Sequence, residues 1–530
     1  MTFGGLSFTQ WLTAIVLCVG VTTAAPAWAD GFDAEGESEE ESTVDLGVSP
    51  FDLALAAPED GIAEVRPSNS NAEAFRQVLR RLEQAEERVA SLEAARKPQT
   101  PEPPDAGVVS SLQQRWMQVR DPSIITVDQQ TRRTGARDEP KKWYDRLSIR
   151  GYAQFRMNTV LDGDDDGTPA HHAGDRSIGE NQSYFIRRAR LIFSGDVSEH
   201  MYIYLQPDFA SSVPGSTDAN QFAQIRDWYA DLYIDTRKVY RVRVGQSKVP
   251  FGWDNLQSSS NRLTLDRSDS TNSAVRNERD LGVFFYYTPE PIQDLFKEVL
   301  DDGLKGSGNY GMFGFGVHNG QGGSLQEQND NVHVVARFAY PFRVFDDQIA
   351  EVGLQGYTGK YVVLSSQIRA LGAGGLIRPA GTLETGDRLG HRDERLAGTF
   401  VWYPKPFGFQ AEWNVGKGPA LNDAQVAIEE RALYGGYAMC MYRHVTRRYG
   451  TFFPFVRWNY FRGGYKPERN APYSQIDELE AGVEWQINDQ MELVTQYTVT
   501  DRTNTTAFAT GRSYEQFEGE LLRVQFQVNY

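Results

Sequence analysis

The sequence predicts an all-β protein: a 16-stranded antiparallel transmembrane β-barrel preceded by a short coiled-coil helix. Three observations carry that prediction. Tyr240–Asn255 (YRVRVGQSKVPFGWDN) opens in strict alternation, with Tyr240, Val242 and Val244 on one face and Arg241 and Arg243 on the other, because strand side chains have a period of two. A half-apolar, half-basic strand suits a wall with lipid on one side and water on the other. The same pattern recurs from Trp143 to Tyr530. The connections alternate between tight turns and long polar loops, as in a meander that crosses a membrane repeatedly. A soluble sandwich has no reason to alternate its loop lengths.

Composition sets limits. Of 530 residues 40% are hydrophobic and 12% aromatic, and no run approaches the roughly 18 apolar residues that a membrane helix requires. The net charge of −17 is uneven: residues 30–70 hold 12 acids and one Arg. Such a chain is a poor nucleic-acid binder, and any preference for anions must come from where its basic groups stand. There is no strand-elbow G-x-S-x-G, no phosphate-cradling glycine loop and no metalloprotease helix, so neither an enzyme nor a cofactor is expected.

Taken in order, residues 1–29 read as a secretory signal. Trp11–Val21 is a short apolar core, and Ala27-Trp28-Ala29 fits an A-x-A cleavage site, although no Lys or Arg precedes the core. Cleavage would remove Cys18 and leave Cys440 alone, so no intramolecular disulfide is expected. Residues 30–69 read as an acidic disordered segment. Ser70 and Glu73 form a capping box that opens residues 70–97. There Phe75, Val78, Leu82, Ala85, Val89 and Leu92 alternate spacings of three and four, a heptad seam. The seam is read as self-association; the alternative is a lone amphipathic helix packed on something else. Residues 98–142 are a Pro-rich, polar linker.

Residues 143–530 form the barrel. Strands are expected at Leu147–Asn158, Tyr184–Val197, Met201–Phe209, Phe222–Thr236, Val239–Lys248, Arg279–Thr288, Tyr310–His318 and Val332–Phe342. They continue at Glu351–Ser365, Arg395–Tyr403, Phe407–Gly416, Arg431–His444, Thr451–Arg462, Ile476–Ile487, Gln490–Thr500 and Glu518–Tyr530. One connection breaks the alternation: Pro289–Asn309 should be a tight turn but is long, and Ile292–Leu304 reads as helical. The last strand ends on an aromatic residue, as bacterial outer-membrane barrels commonly do. In the first loop Asp162–Gly167 begins like a calcium loop, but its twelfth position is Ala173, where a bidentate Glu is needed. No metal site is expected.

Several segments together resemble the phosphate-selective porin O and P family. They are SYFIRRARLIFSGDVS (Ser183–Ser198), IRDWYADLY (Ile225–Tyr233), RVRVGQSKVPFGWDN (Arg241–Asn255), LDRSDS and NERDLGV (Leu265–Ser270, Asn277–Val283) and VHNG (Val317–Gly320). The resemblance covers about residues 145–530. It implies a trimeric outer-membrane channel, with the N-terminal region in the periplasm and a loop after the fifth strand folded into the lumen. Its passengers would be small anions such as phosphate or polyphosphate.

Strand alternation turns Arg150, Arg156, Arg188, Arg190, Arg241, Arg243, Arg337, Arg457 and Arg523 inward, and Lys248 stands where the fifth strand enters the constriction loop. Arginine presents a charged fork of donors suited to phosphate oxygens, and rings of Arg or Lys select anions. Asp227, Asp231, Glu412, Glu478, Glu480 and Glu484 share the inward face, however. The alternatives at this stage are a passive, anion-preferring channel, a weakly selective porin whose charges pair off, and an envelope tether that uses the barrel as anchor.

Overall fold

The computed structural model describes residues 143–163, 178, 183–210, 223–504 other than 324, 346, 371 and 373, and 515–530, with the paired short strands Thr2–Phe3 and Leu6–Ser7. The signal's apolar core, the acidic segment, the coiled coil, the linker to residue 142 and the acidic loop beyond Gly163 lie outside these residues.

Sixteen strands close into one antiparallel barrel. They are β1 (Leu147–Asp162), β2 (Ser183–Ser198), β3 (Met201–Asp208), β4 (Gln224–Tyr233), β5 (Tyr240–Lys248), β6 (Arg279–Tyr287), β7 (Phe313–His318) and β8 (His333–Arg343). After them come β9 (Ile349–Tyr361), β10 (His391–Trp402), β11 (Phe407–Leu421), β12 (Ile428–Tyr442, resumed at His444–Thr446), β13 (Gly450–Gly464), β14 (Tyr473–Asn488), β15 (Met491–Asn504) and β16 (Glu515–Asn529). Each pairs with its neighbour in sequence, and β16 pairs with β1 to close the ring. Closure satisfies every edge, which a sheet in lipid requires.

The expected strands all occur, with shifted ends. β10 begins at His391 rather than Arg395, β11 runs to Leu421 rather than Gly416, and β4 stops at Tyr233 rather than Thr236. Beyond the lipid band both faces of a strand are wet, so alternation no longer marks where pairing stops.

The barrel is inverted relative to a water-soluble core. Ile149 (70%), Trp228 (61%) and Leu354 (54%) are exposed on its outside, whereas Gln154, Glu412 and Gln496 are 0–1% exposed within. Cys440 is buried and unbridged.

Two connections enter the lumen. The β5–β6 loop, residues 249–278, carries two single-turn helices, α1 (Trp253–Leu256) and α2 (Asp269–Asn272), all of whose residues are buried. The long β6–β7 connection forms the expected helix as α3 (Glu290–Asp301), which buries Ile292, Phe296 and Val299 at helical spacing. Residues 303–309 then pass inward as a strap. A Cβ on Gly306 would stand 2.5 Å from Val299 Cγ1, so only glycine lets the strap lie this close to α3.

Candidate functional site

The constriction loop is stitched to the wall formed by β8–β15 as well as to β1, β2, β5 and β16. Gln355 Oε1 accepts from Gly252 N at 3.1 Å, and Glu412 accepts from Trp253 N. Arg395 donates to Ser270 O (2.8 Å) and Ser273 O (3.0 Å), and Gln496 Oε1 accepts from Leu265 N at 3.0 Å. The strap adds a clamp from the turn side of the barrel. Gln257 Nε2 donates to Lys305 O (2.6 Å), Asn261 Nδ2 donates to Gly306 O (2.9 Å), and Lys305 Nζ pairs with Glu484 on β14.

Several acids on the β8–β15 wall are paired and covered. Arg457 on β13 faces Glu480 on β14 in register and forks onto it, with Nη2 at 2.9 Å from Oε1. Arg337 donates to Gln355 (2.7 Å) and lies 3.4 Å from Glu351. Glu478 pairs with Arg502, which also reaches Asp269 of α2 at 2.7 Å. The side chains of Glu351, Glu478, Glu480 and Glu484 retain 0–3% exposure.

The β1–β6 wall is different, and two bulges make it so. On β2, Gln154 faces Arg188 while Phe155 faces Ile186, which leaves Arg187 as an extra residue. On β4, Gln206 faces Asp227 while Pro207 faces Ile225, which leaves Arg226 extra. A bulge lets two consecutive side chains share a face. Arg187 accordingly lies 3.8 Å from Asp266 of the loop, and Arg226 lies 3.7 Å from Glu278. The loop itself contributes Arg262 and Arg267, and β6 opens with Arg279.

These cations outnumber the carboxylates beside them among the described residues; Arg279 pairs with Asp227 at 2.9 Å, and Arg262 lies 4.0 Å from Asp254. Glu278 serves Arg226, Lys248 (3.5 Å), Arg267 and Arg279 (2.8 Å). Asp266 serves Arg156 (3.3 Å), Arg187 and Arg523. Burial alone would raise the Asp266 carboxyl, but the guanidiniums of Arg523, Arg156 and Arg187 outweigh it and hold it well below the usual carboxylate range. Arg188 hydrogen-bonds Gln154 at 2.7 Å and makes no ion pair among the described residues, although its charge also acts on Asp266. The Arg226 Nε is buried with no hydrogen-bond partner among the described residues. Arg187, Arg226, Arg241 and Arg267 keep 8–12% side-chain exposure, more than the covered acids opposite.

Arg156, Arg188, Arg190 and Arg523 gather around the loop on β1, β2 and β16, where Arg190 pairs with Asp208 at 2.7 Å. Arg241 and Arg243 stand lower on β5 and share Asp231, at 3.5 and 2.7 Å. Lys248 donates to Leu256 O (3.1 Å) and Gln257 O (2.8 Å), so it braces the loop. Arg337 and Arg457 lie beneath the loop on the opposite wall, and Arg150 is exposed on β1. Strict alternation missed Arg187, Arg226, Arg262, Arg267 and Arg279. A signal existed for the first two. Arg187-Arg188 and Arg226-Asp227 are adjacent charged pairs, and in an unbulged strand one of each would face lipid at a cost of about 2–4 kcal/mol for an arginine at mid-depth.

The family model that matches this chain is that of phosphate-selective porin O and P, over residues 155–530. No curated protein matches it. Among solved structures it is similar to the outer membrane channel DcaP of Acinetobacter baumannii, with 12% identity and a TM-score of 0.42 over 72% of this chain and 97% of that one. It is similar to OmpF of Salmonella typhi at 12% identity and a TM-score of 0.44, with coverages of 72% and 97%. An anion-selective porin from Comamonas acidovorans matches at 9% identity and a TM-score of 0.41, with coverages of 72% and 99%.

Proposed function

The chain belongs to the phosphate-selective porin O and P family, and from that premise we propose that it forms a passive outer-membrane channel that prefers anions, phosphate among them. One observation carries the preference. Guanidiniums around the constriction loop outnumber the carboxylates beside them, whereas the acids of β9 and β14 are paired and covered. In a narrow, low-dielectric passage an excess of fixed positive charge raises the local concentration of anions. The acidic balance of the whole chain does not oppose this, because charges beyond a Debye length of roughly 8 Å are screened at physiological salt.

We further propose a homotrimer seated in outer-membrane lipid. The exposed apolar exterior and the Phe75–Leu92 seam support that reading, and native mass measurement of the detergent-extracted protein checks it. The transport reading is tested in planar bilayers. The purified protein should give discrete conductance steps in KCl, and added phosphate should reduce the chloride current in a saturable way. An insertion without steps would support the tether instead.

A further inference from the structure

On the lipid-facing side of β8–β11 lies a groove of about 650 Å³. Its floor is Ala336 on β8 and its register partner Gly356 on β9, which have no side chain beyond Cβ to fill it. Phe338, Leu354, Leu396 and Val415 stand around it, each exposed on the outer face. A lipid tail fills such a groove by van der Waals contact. Any preference among lipids has to come from the headgroup.

Above the groove, toward the long loops that mark the outer side, the same strands turn cations outward. Lys360 of β9 and Arg392 of β10 are register partners, and Lys417 of β11 faces Glu394 of β10. All three cations are exposed. The acids hydrogen-bonded here are Glu394, which accepts from Arg392 Nε at 2.9 Å, and Glu430, which accepts from Arg392 N at 2.8 Å. The rim therefore keeps an excess of positive charge. At the same end of the barrel β14–β16 present the opposite sign. Asp477, Asp501 and Glu518 are successive register partners, and all are exposed. An anionic headgroup is drawn to one face of the exterior and repelled from the other.

We propose that the β8–β11 exterior is a seat for a phosphorylated lipid of the outer leaflet, with an acyl chain in the groove and a headgroup phosphate on Lys360, Arg392 and Lys417. The inference rests on the outer-membrane placement proposed above and not on what the pore conducts. Lys360 stands four residues beyond Gly356 on one strand, roughly 13 Å by strand rise. A tail lying in the groove thus brings its own headgroup to the cations. Charge sets the preference, and the groove fixes the place.

The test is native mass spectrometry of the full-length protein in detergent, titrated with diphosphoryl or monophosphoryl lipid A. These lipids differ by one phosphate. The diphosphoryl form should be retained at a concentration lower by several-fold. Lys360→Gln and Lys417→Gln should each raise that concentration about fivefold at low salt, as expected for one cation at a charged surface. Ala336→Phe, which fills the groove, should weaken retention of both lipids. Equal retention of the two lipids by the unmodified protein overturns the seat, whether or not a variant folds. So does a gain from Asp501→Asn as large as the loss from Lys417→Gln, which would trace binding to overall charge. A trimer that Ala336→Phe splits into monomers would give the groove to a second copy and overturn the seat as well. Conductance measured on the same preparation keeps the two readings apart. Steps without a lipid preference overturn the seat alone, whereas a lipid preference without steps supports the seat and overturns the channel.

Discussion

The β1–β6 wall and the β8–β15 wall belong to one barrel and follow the same period-two rule, yet they handle charge in different ways. On the far wall, acids and arginines face each other across the ladder, as Arg457 and Glu480 do, and the constriction loop lies over them. On the near wall, bulges at Arg187 and Arg226 add cations with no added acid. A tally of inward charges would call the lumen mixed. Pairing and cover decide which charges a solute feels. The loop is hydrogen-bonded to both walls, and on the near wall cations outnumber the acids beside them.

The largest effect should come from breaking a buried pair of the far wall. Arg457→Ala leaves Glu480 buried without its partner, which costs about 3–5 kcal/mol for a buried pair. The folded barrel should convert to the unfolded gel form at a clearly lower temperature. Arg457→Leu with Glu480→Leu should recover most of the loss, because removing both charges is often close to neutral. An unchanged single variant would mean that this pair is not load-sharing with the loop.

Charge on the near wall should change selectivity. Arg187→Glu with Arg226→Glu should lower the chloride-to-potassium permeability ratio, on the order of tenfold in a low-dielectric site. Glu484→Gln on the far wall should move it far less. Equal shifts from the two walls would erase the distinction between them.

A smaller effect belongs to the strap. Lys305→Met removes the pair with Glu484 and should loosen the loop tip held by Gln257 and Asn261. Single-channel conductance should rise modestly, with more open-channel noise. Quiet, unchanged steps would show that the backbone hydrogen bonds suffice.

The smallest effect concerns pH. Asp266 has a depressed carboxyl pKa, so its contribution to loop docking is present above the unfolded value near 4 and is lost only as pH falls through its own lower pKa. Arginine does not titrate in this range. Anion preference should therefore hold steady from pH 7 to pH 5, read as a constant reversal potential. A drift in that window would assign the selectivity to another group.

The architecture was legible in the sequence because alternation, turn length and loop length all follow from lipid outside and water within. Helix α3 was legible from the periodicity of Ile292, Phe296 and Val299. The site was only partly legible. Alternation put Arg188 and Arg190 on the inner face, but it could not see that a bulge brings Arg187 with them. It placed Arg457 beside Arg523 as an equal, since period two carries no information on which inward residues a loop later covers. Arg262 and Arg267 sit on the loop, where no periodicity exists to orient them.

The central claim is that the passage feels the near wall. The reversal potential of the unmodified channel in a KCl gradient tests it most directly. Chloride should cross more readily than potassium, with a reversal potential on the chloride side of zero-selectivity. A potential on the potassium side would mean that the covered acids of β11 and β14 outweigh the guanidiniums, and the account of this channel as anion-preferring would be wrong.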